Sequence, residues 1–194
     1  MLASLRPRRE APRMHAKTPD EERIYQAALN HLARYAATEA GLARVLARKL
    51  DRWIRQDAGE EAPPEETAAA ARCAKSAIPA VIARLREAGV LNDAAFVASR
   101  AKRLTRAGKS RRATLAHLAA KGVAGAALPD NPERELAAAC AYLRRRRAGP
   151  FGDAAEAKIL AAMARGGFTQ EVARRALRLD RGAAEALIRA LQEI

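Results

Sequence analysis

Between Val97 and Val123 the chain carries eight basic residues and no acid: Arg100, Lys102, Arg103, Arg106, Lys109, Arg111, Arg112 and Lys121. Side chains of this type, so unbalanced, are suited to holding anions. Arg100, Arg103 and Arg106 stand three apart and form a stripe on one helix. Lys109, Arg111 and Arg112 crowd a turn and the start of the next helix. A helix N-terminus is already positive, so cations there work against its dipole. An anion bound at that end would relieve the conflict. Arg100, Arg103, Lys109, Arg111, Arg112 and Lys121 are therefore the candidate contacts to phosphate or to an acidic surface. The competing reading is a solvated helix face, and the missing acids and the helix-end placement weigh against it. Arg144, Arg145, Arg146 and Arg147 form a secondary cluster. Four successive residues point all round a helix, so at most two can face one partner.

Catalytic constellations are lacking. Gly108-Lys109-Ser110 resembles the end of a phosphate-binding loop, but Arg103 stands where that loop needs Gly and no strand precedes it. His31 and His117 sit on helices among apolar neighbours, without Cys, Asp or Glu at ligand spacing, and read as packing or surface residues. His15 falls in the basic N-terminal segment. Asp93 reads as a cap. Trp53 reads as an anchor of the first helical unit, although an exposed Trp could stack on a base. Cys73 and Cys140 have no second Cys or His at metal-ligand spacing, and a reduced cytosolic pair is expected. No catalytic residue, metal or cofactor is expected.

The wider composition agrees with an anionic partner. The 194 residues carry a net charge of +14, and Lys plus Arg number 36. Arg, which grips phosphate and carboxylate at two points, accounts for 29 of them. A GC-rich coding sequence would also enrich Arg and Ala, but it does not explain where the charge clusters. Hydrophobic residues make up 49% and aromatics only 4%, so the core should be thin, with helices packed closely on small side chains. No apolar run approaches the roughly 18 residues that cross a bilayer, and a cytoplasmic, monomeric protein is expected. Residues 1–17 read as a disordered basic tail, and Met14 is an alternative start.

A short helical phrase organises the rest. An apolar residue is followed by another three positions on, by Gly or Lys at seven and by an apolar residue at eight. It occurs as Leu42, Val45, Lys49, Leu50; as Leu115, Leu118, Gly122, Val123; and as Leu160, Met163, Gly167, Phe168. Those offsets share one helix face, and Gly122 and Gly167 stand where a helix would end in a left-handed turn. No segment alternates well enough to be a strand. The chain reads as all-α, in tandem three-helix, helix-turn-helix-like repeats forming an elongated curved array. The expected divisions are the tail, 18–91 with an insertion near 55–76, 92–130 and 131–194. Expected caps are Thr18, Thr38, Ser76, Asn92 or Asp93, Ser110, Asn131, Asp153, Thr169 and Asp180. Ile24, Ala28, Leu32 and Tyr35 should face inward from the first helix. Residues 57–64 should form a loop, and Ala124–Leu128 a short closing piece.

Leu85-Arg86-Glu87-Ala88-Gly89-Val90-Leu91-Asn92-Asp93-Ala94-Ala95-Phe96-Val97 resembles the RecX regulatory protein family. So do Arg100, then Gly108-Lys109-Ser110-Arg111-Arg112, then Leu115, Leu118 and Lys121-Gly122-Val123. Order and spacing fit across about 40 residues, and weaker similarity spans Ala28–Leu50 and Tyr142–Leu177. The family's acidic pair is Asn92-Asp93 here, and the insertion resembles versions from α-proteobacteria. The resemblance implies tandem three-helix repeats. It also implies a binding protein without catalytic residues, which associates with the RecA recombinase filament and limits strand exchange and SOS co-protease activity. Single- or double-stranded DNA is a further expected partner. The rival is a DNA-binding protein that acts independently of RecA through its helix-turn-helix-like modules in the major groove. The second-copy helix offers mostly Ala, Leu and His117, which gives sequence-specific reading little support.

Overall fold

The computed structural model describes residues 19–58 and 63–193. Among these, ten helices follow one another: α1 (Glu21–Leu32), α2 (Glu39–Ala58), α3 (Pro64–Ser76), α4 (Ile78–Glu87), α5 (Asp93–Arg106), α6 (Arg111–Ala120), α7 (Pro132–Arg146), α8 (Glu156–Arg165), α9 (Gln170–Arg178) and α10 (Arg181–Glu193). No strand forms among the described residues, where one isolated bridge joins Gly149 and Gly152. The all-α class read from the periodicity is observed. The basic segment 1–17, Thr18 and part of the expected 57–64 loop lie outside the described residues.

Residue contacts divide the chain into two compact units. The first holds the described residues up to Tyr35 together with 42–90. Its buried side chains include Ile24 and Ala28 of α1, Leu46, Leu50 and Ile54 of α2, and Val81 and Leu85 of α4. Each of these Ile, Leu and Val side chains contributes about 1.5 to 3 kcal/mol when fully buried. At its surface Arg84 donates to Glu22 at 3.0 Å and lies 3.8 Å from the Tyr25 ring centroid.

The second unit comprises residues 36–41 and 91–194. Here α7 packs on α5, α9 and α10. Ala137 through Ala141 of α7 are all buried, which fits close approach of helices through small side chains. Larger residues, among them Leu143, Met163, Phe168 and Ile188, complete that core.

Most helix starts follow the capping chemistry. Asn92, Ser110, Asn131 and Thr169 each accept the N–H three residues on, and Asp180 accepts that of Ala183. Five expectations fail. The cap of α1 is Asp20, which accepts from Arg23. Ser76 closes α3 instead of opening α4, because its hydroxyl donates back to the Cys73 carbonyl at 2.7 Å. Asp153 does not cap α8, whose N-cap is Ala155 with no side-chain bond. Residues 124–128 form no helix, since Gly125 and the following Pro129 interrupt it. Tyr35, expected to face inward, is 61% exposed because α1 stops at Leu32.

The repeated phrase has a physical basis. Val123 N–H donates to the Leu118 carbonyl at 3.0 Å, and Phe168 N–H donates to the Met163 carbonyl at 3.1 Å. Each bond closes a helix end around a left-handed glycine, Gly122 at φ 98° and Gly167 at φ 90°. The first copy differs. Lys49 and Leu50 lie inside the continuous helix α2. Counted from the caps Thr38, Ser110 and Ala155, the buried positions at cap plus four and cap plus eight are Leu42 and Leu46, Thr114 and Leu118, and Ile159 and Met163. The first copy thus sits one residue out of step with the phrase as spelled.

Candidate functional site

The basic segment lies on α5, α6 and the turn between them, inside the second unit. Its residues fall into two groups. Arg103, Lys109 and Lys121 are exposed, and their side chains make no hydrogen bond or ion pair among the described residues. Arg100, Arg111 and Arg112 are engaged by the chain itself. Arg100 Nε donates to His117 Nε2 at 3.0 Å. That bond makes His117 an internal partner of Arg100.

Arg111 and Arg112 resolve the conflict between cations and the α6 N-terminus in an unexpected way. Arg111 N–H donates to Glu135 Oε2 at 2.9 Å, so the anion at this helix start is a side chain of α7. The Arg111 guanidinium turns away and donates to the Leu128 carbonyl at 2.9 and 3.1 Å. Arg112 donates to the Ala164 carbonyl near the end of α8 at 3.2 Å. Burial pushes the Glu135 carboxyl above its ordinary value, and the Arg111 N–H and positive charge pull back only partly.

The same device recurs on arginines outside the candidate set. Arg106 donates to the Leu191 carbonyl at 3.2 Å and the Gln192 carbonyl at 2.8 Å, at the end of α10. Arg145 donates to the Ala107 carbonyl at the end of α5 at 2.7 Å. A cation at a helix C-terminus meets the negative end of the dipole and satisfies carbonyls that have no partner in their own helix. In the secondary cluster, Arg144 pairs with Glu185 at 3.2 Å and Arg146 lies over Tyr142. Arg147 is itself the left-handed C-cap of α7, at φ 50°. Backbone oxygen thus supplies part of the hydrogen-bond acceptors for these guanidinium groups, which no count of Asp and Glu records.

The segment is joined at two places by one pattern. Ser110 Oγ accepts the Ala113 N–H at 3.1 Å and donates to the Gly166 carbonyl at 2.7 Å. Thr38 Oγ1 accepts the Gly41 N–H at 2.9 Å and donates to the Lys121 carbonyl at 2.6 Å. The next backbone N–H meets an acid in both cases: Arg111 with Glu135, and Glu39 with Asp93 at 2.8 Å. Asp93, read as a cap, therefore serves α2, while Asn92 caps α5.

Thr38, Asn92, Asp93, Ser110 and Gly122 fall in or beside stretches that carry the family resemblance. A comparison with known proteins agrees: the chain is 33% identical over 166 residues to the Regulatory protein RecX of Myxococcus xanthus (strain DK1622), covering 79% of this chain and 83% of that protein. The chain belongs to the RecX family of regulatory proteins. No family model matches it. No solved structure matches it either.

The remaining chemistry-bearing residues take structural positions. Cys140 is buried, and desolvation raises its thiol to about 11, well above the thiolate range. His31 stacks obliquely on Tyr35 with ring centroids 5.2 Å apart. Trp53 is half-buried, with Arg23 at 4.5 Å and Lys49 at 4.9 Å from its ring centroid. No helix among the described residues is long and apolar enough to cross a membrane.

Proposed function

We propose that this RecX-family chain is a regulatory binding protein of the cytoplasm. It associates with the RecA recombinase filament, or with the DNA that the filament holds, and limits strand exchange and co-protease activity without chemistry of its own. The observation that carries the reading is the 33% identity to a regulatory protein RecX across most of both chains. A set of exposed cations, Arg103, Lys109 and Lys121, supports it by supplying attraction to phosphate or to an acidic protein surface. Arg100, Arg111 and Arg112 hold the segment in shape and reach a partner only at the expense of internal bonds.

The test is to assemble RecA on single-stranded DNA, add this protein, and follow ATP hydrolysis and co-sedimentation together. Co-sedimentation with a fall in hydrolysis is expected. Binding to bare DNA with no preference for the filament would instead favour the independent DNA-binding reading. For contact with duplex phosphate, R103A/K109A/K121A should flatten the log-affinity versus log-salt slope by about 2 to 3. An unchanged slope rejects the assignment of these three.

A further inference from the structure

A second cationic row lies on α2, on residues that belong to the first unit. Leu42, Leu46, Leu50 and Ile54 bury one side of this helix. At about 100° per residue, Arg48, Arg52 and Arg55 fall on the side opposite that buried stripe. All three are exposed and make no hydrogen bond or ion pair among the described residues. Between Ala40 and Gln56 the helix has five basic residues and one acid, Asp51. Asp51 stands three after Arg48 and four before Arg55, where it could neutralise either. Instead it pairs with Lys75 of α3 at 2.6 Å. The row is left without a paired counter-charge among the described residues.

From Arg44 to Gln56 the exposed positions of α2 are Arg44, Arg48, Arg52, Arg55 and Gln56. A protein partner normally wants an apolar or aromatic anchor at the centre of its footprint, and this face offers none. A nucleic-acid strand needs no such anchor. Arg48 to Arg55 rises about 10 Å along the helix, at 1.5 Å per residue, so the three guanidinium groups follow one another along a single face. Trp53, the sole Trp of the chain, borders the row but already carries two cations against its ring. It is a neighbour of the contact and not a stacking platform.

We infer that Arg48, Arg52 and Arg55 of α2 form a phosphate-binding row for single-stranded nucleic acid, separate from the basic segment of α5 and α6. The contact is electrostatic and indifferent to sequence.

Trp53 reports on it directly. Oligothymidylate titrated into the full-length protein should change Trp53 emission, with a midpoint equal to that from the anisotropy of a labelled oligonucleotide. Binding seen by anisotropy with no change in emission overturns the inference. R48A/R52A/R55A should reduce the log-affinity versus log-salt slope by about 2, while R48K/R52K/R55K should keep it. Far-ultraviolet circular dichroism verifies that both variants fold, and the lysine variant keeps the test open if the alanine variant does not. An unchanged slope in the alanine variant overturns the inference. So does loss of RecA-filament binding with oligonucleotide affinity intact, which would assign the row to a protein surface. Failure of the wild-type chain to bind RecA filaments would reject the regulatory reading and leave this row standing.

Discussion

Ser110 Oγ donates to the Gly166 carbonyl at 2.7 Å while its lone pair accepts the Ala113 N–H at 3.1 Å. One buried hydroxyl therefore caps the start of α6 and the end of α8 together. Thr38 does the same between the start of α2 and the Lys121 carbonyl at the end of α6. Removing either hydroxyl strands a backbone N–H and a carbonyl at once. Ser110→Ala and Thr38→Ala should each lower stability by about 1 to 3 kcal/mol, and Ser110→Thr should retain more of it. Urea denaturation measures the difference, and a loss below about 0.5 kcal/mol in both alanine variants would contradict the shared-cap account.

Thr114 is fully buried, and its hydroxyl has no hydrogen-bond partner among the described residues. It occupies the slot that Leu42 and Ile159 fill when counted from the other two caps. Thr114→Val keeps the shape and removes an unsatisfied polar group. It should raise stability by about 1 kcal/mol. A thermal melt that shifts downward would imply that the hydroxyl is satisfied after all.

Two glycines separate backbone strain from crowding. Gly89 has φ 69° and open space where a Cβ would go, so Gly89→Ala should cost about 1 to 2 kcal/mol from backbone strain alone. Gly167 has φ 90°, and its Cβ would stand 2.6 Å from Ser110 Oγ. Gly167→Ala should cost about 2 to 5 kcal/mol, because the joint with Ser110 must also shift. Equal losses in the two variants would sink the argument that this turn presses on the cap.

Glu135 carries a pH signature. Burial raises its carboxyl above 4.5, so the folded protein holds this proton more tightly than the unfolded chain does. Its contribution to stability is therefore present at low pH and declines as pH rises from 4.5 through the higher folded value. Gln at this position can still accept the Arg111 N–H but does not ionise. The stability of Glu135→Gln relative to wild type should rise as pH climbs above 4.5 and then level off. Paired urea titrations at acid and neutral pH measure it, and a difference that stays flat removes the buried-carboxylate account.

Helix starts were legible wherever the cap was a side chain with one available acceptor. Asn92, Ser110, Asn131 and Thr169 all act as read. Ser76 and Asp153 were misread because a hydroxyl or carboxylate signals capping capacity and not which end, or whether any, it serves. The candidate site was half legible. Counting acids correctly marked 97–123 as unbalanced, but carbonyl oxygens hold Arg106, Arg111, Arg112 and Arg145, and carbonyls have no letter in a sequence. The row on α2 is hidden along the chain because Asp51 and Asp57 break its charge run, although Asp51 turns to Lys75; only its spacing of three and four residues marks it.

The sequence by itself determined what local chemistry controls: an all-helical chain, left-handed ends at Gly122 and Gly167, hydroxyl and amide caps, and a cationic surplus far from balance. These follow from a residue's own backbone preferences and its neighbours within a turn or two. Tertiary structure alone decided which cations remain available to a partner. Arg112 meets Ala164, 52 residues away, while Arg103 and Lys109 meet solvent. A cation is engaged by whatever acceptor packing brings within about 3 Å, and separation along the chain does not encode that distance.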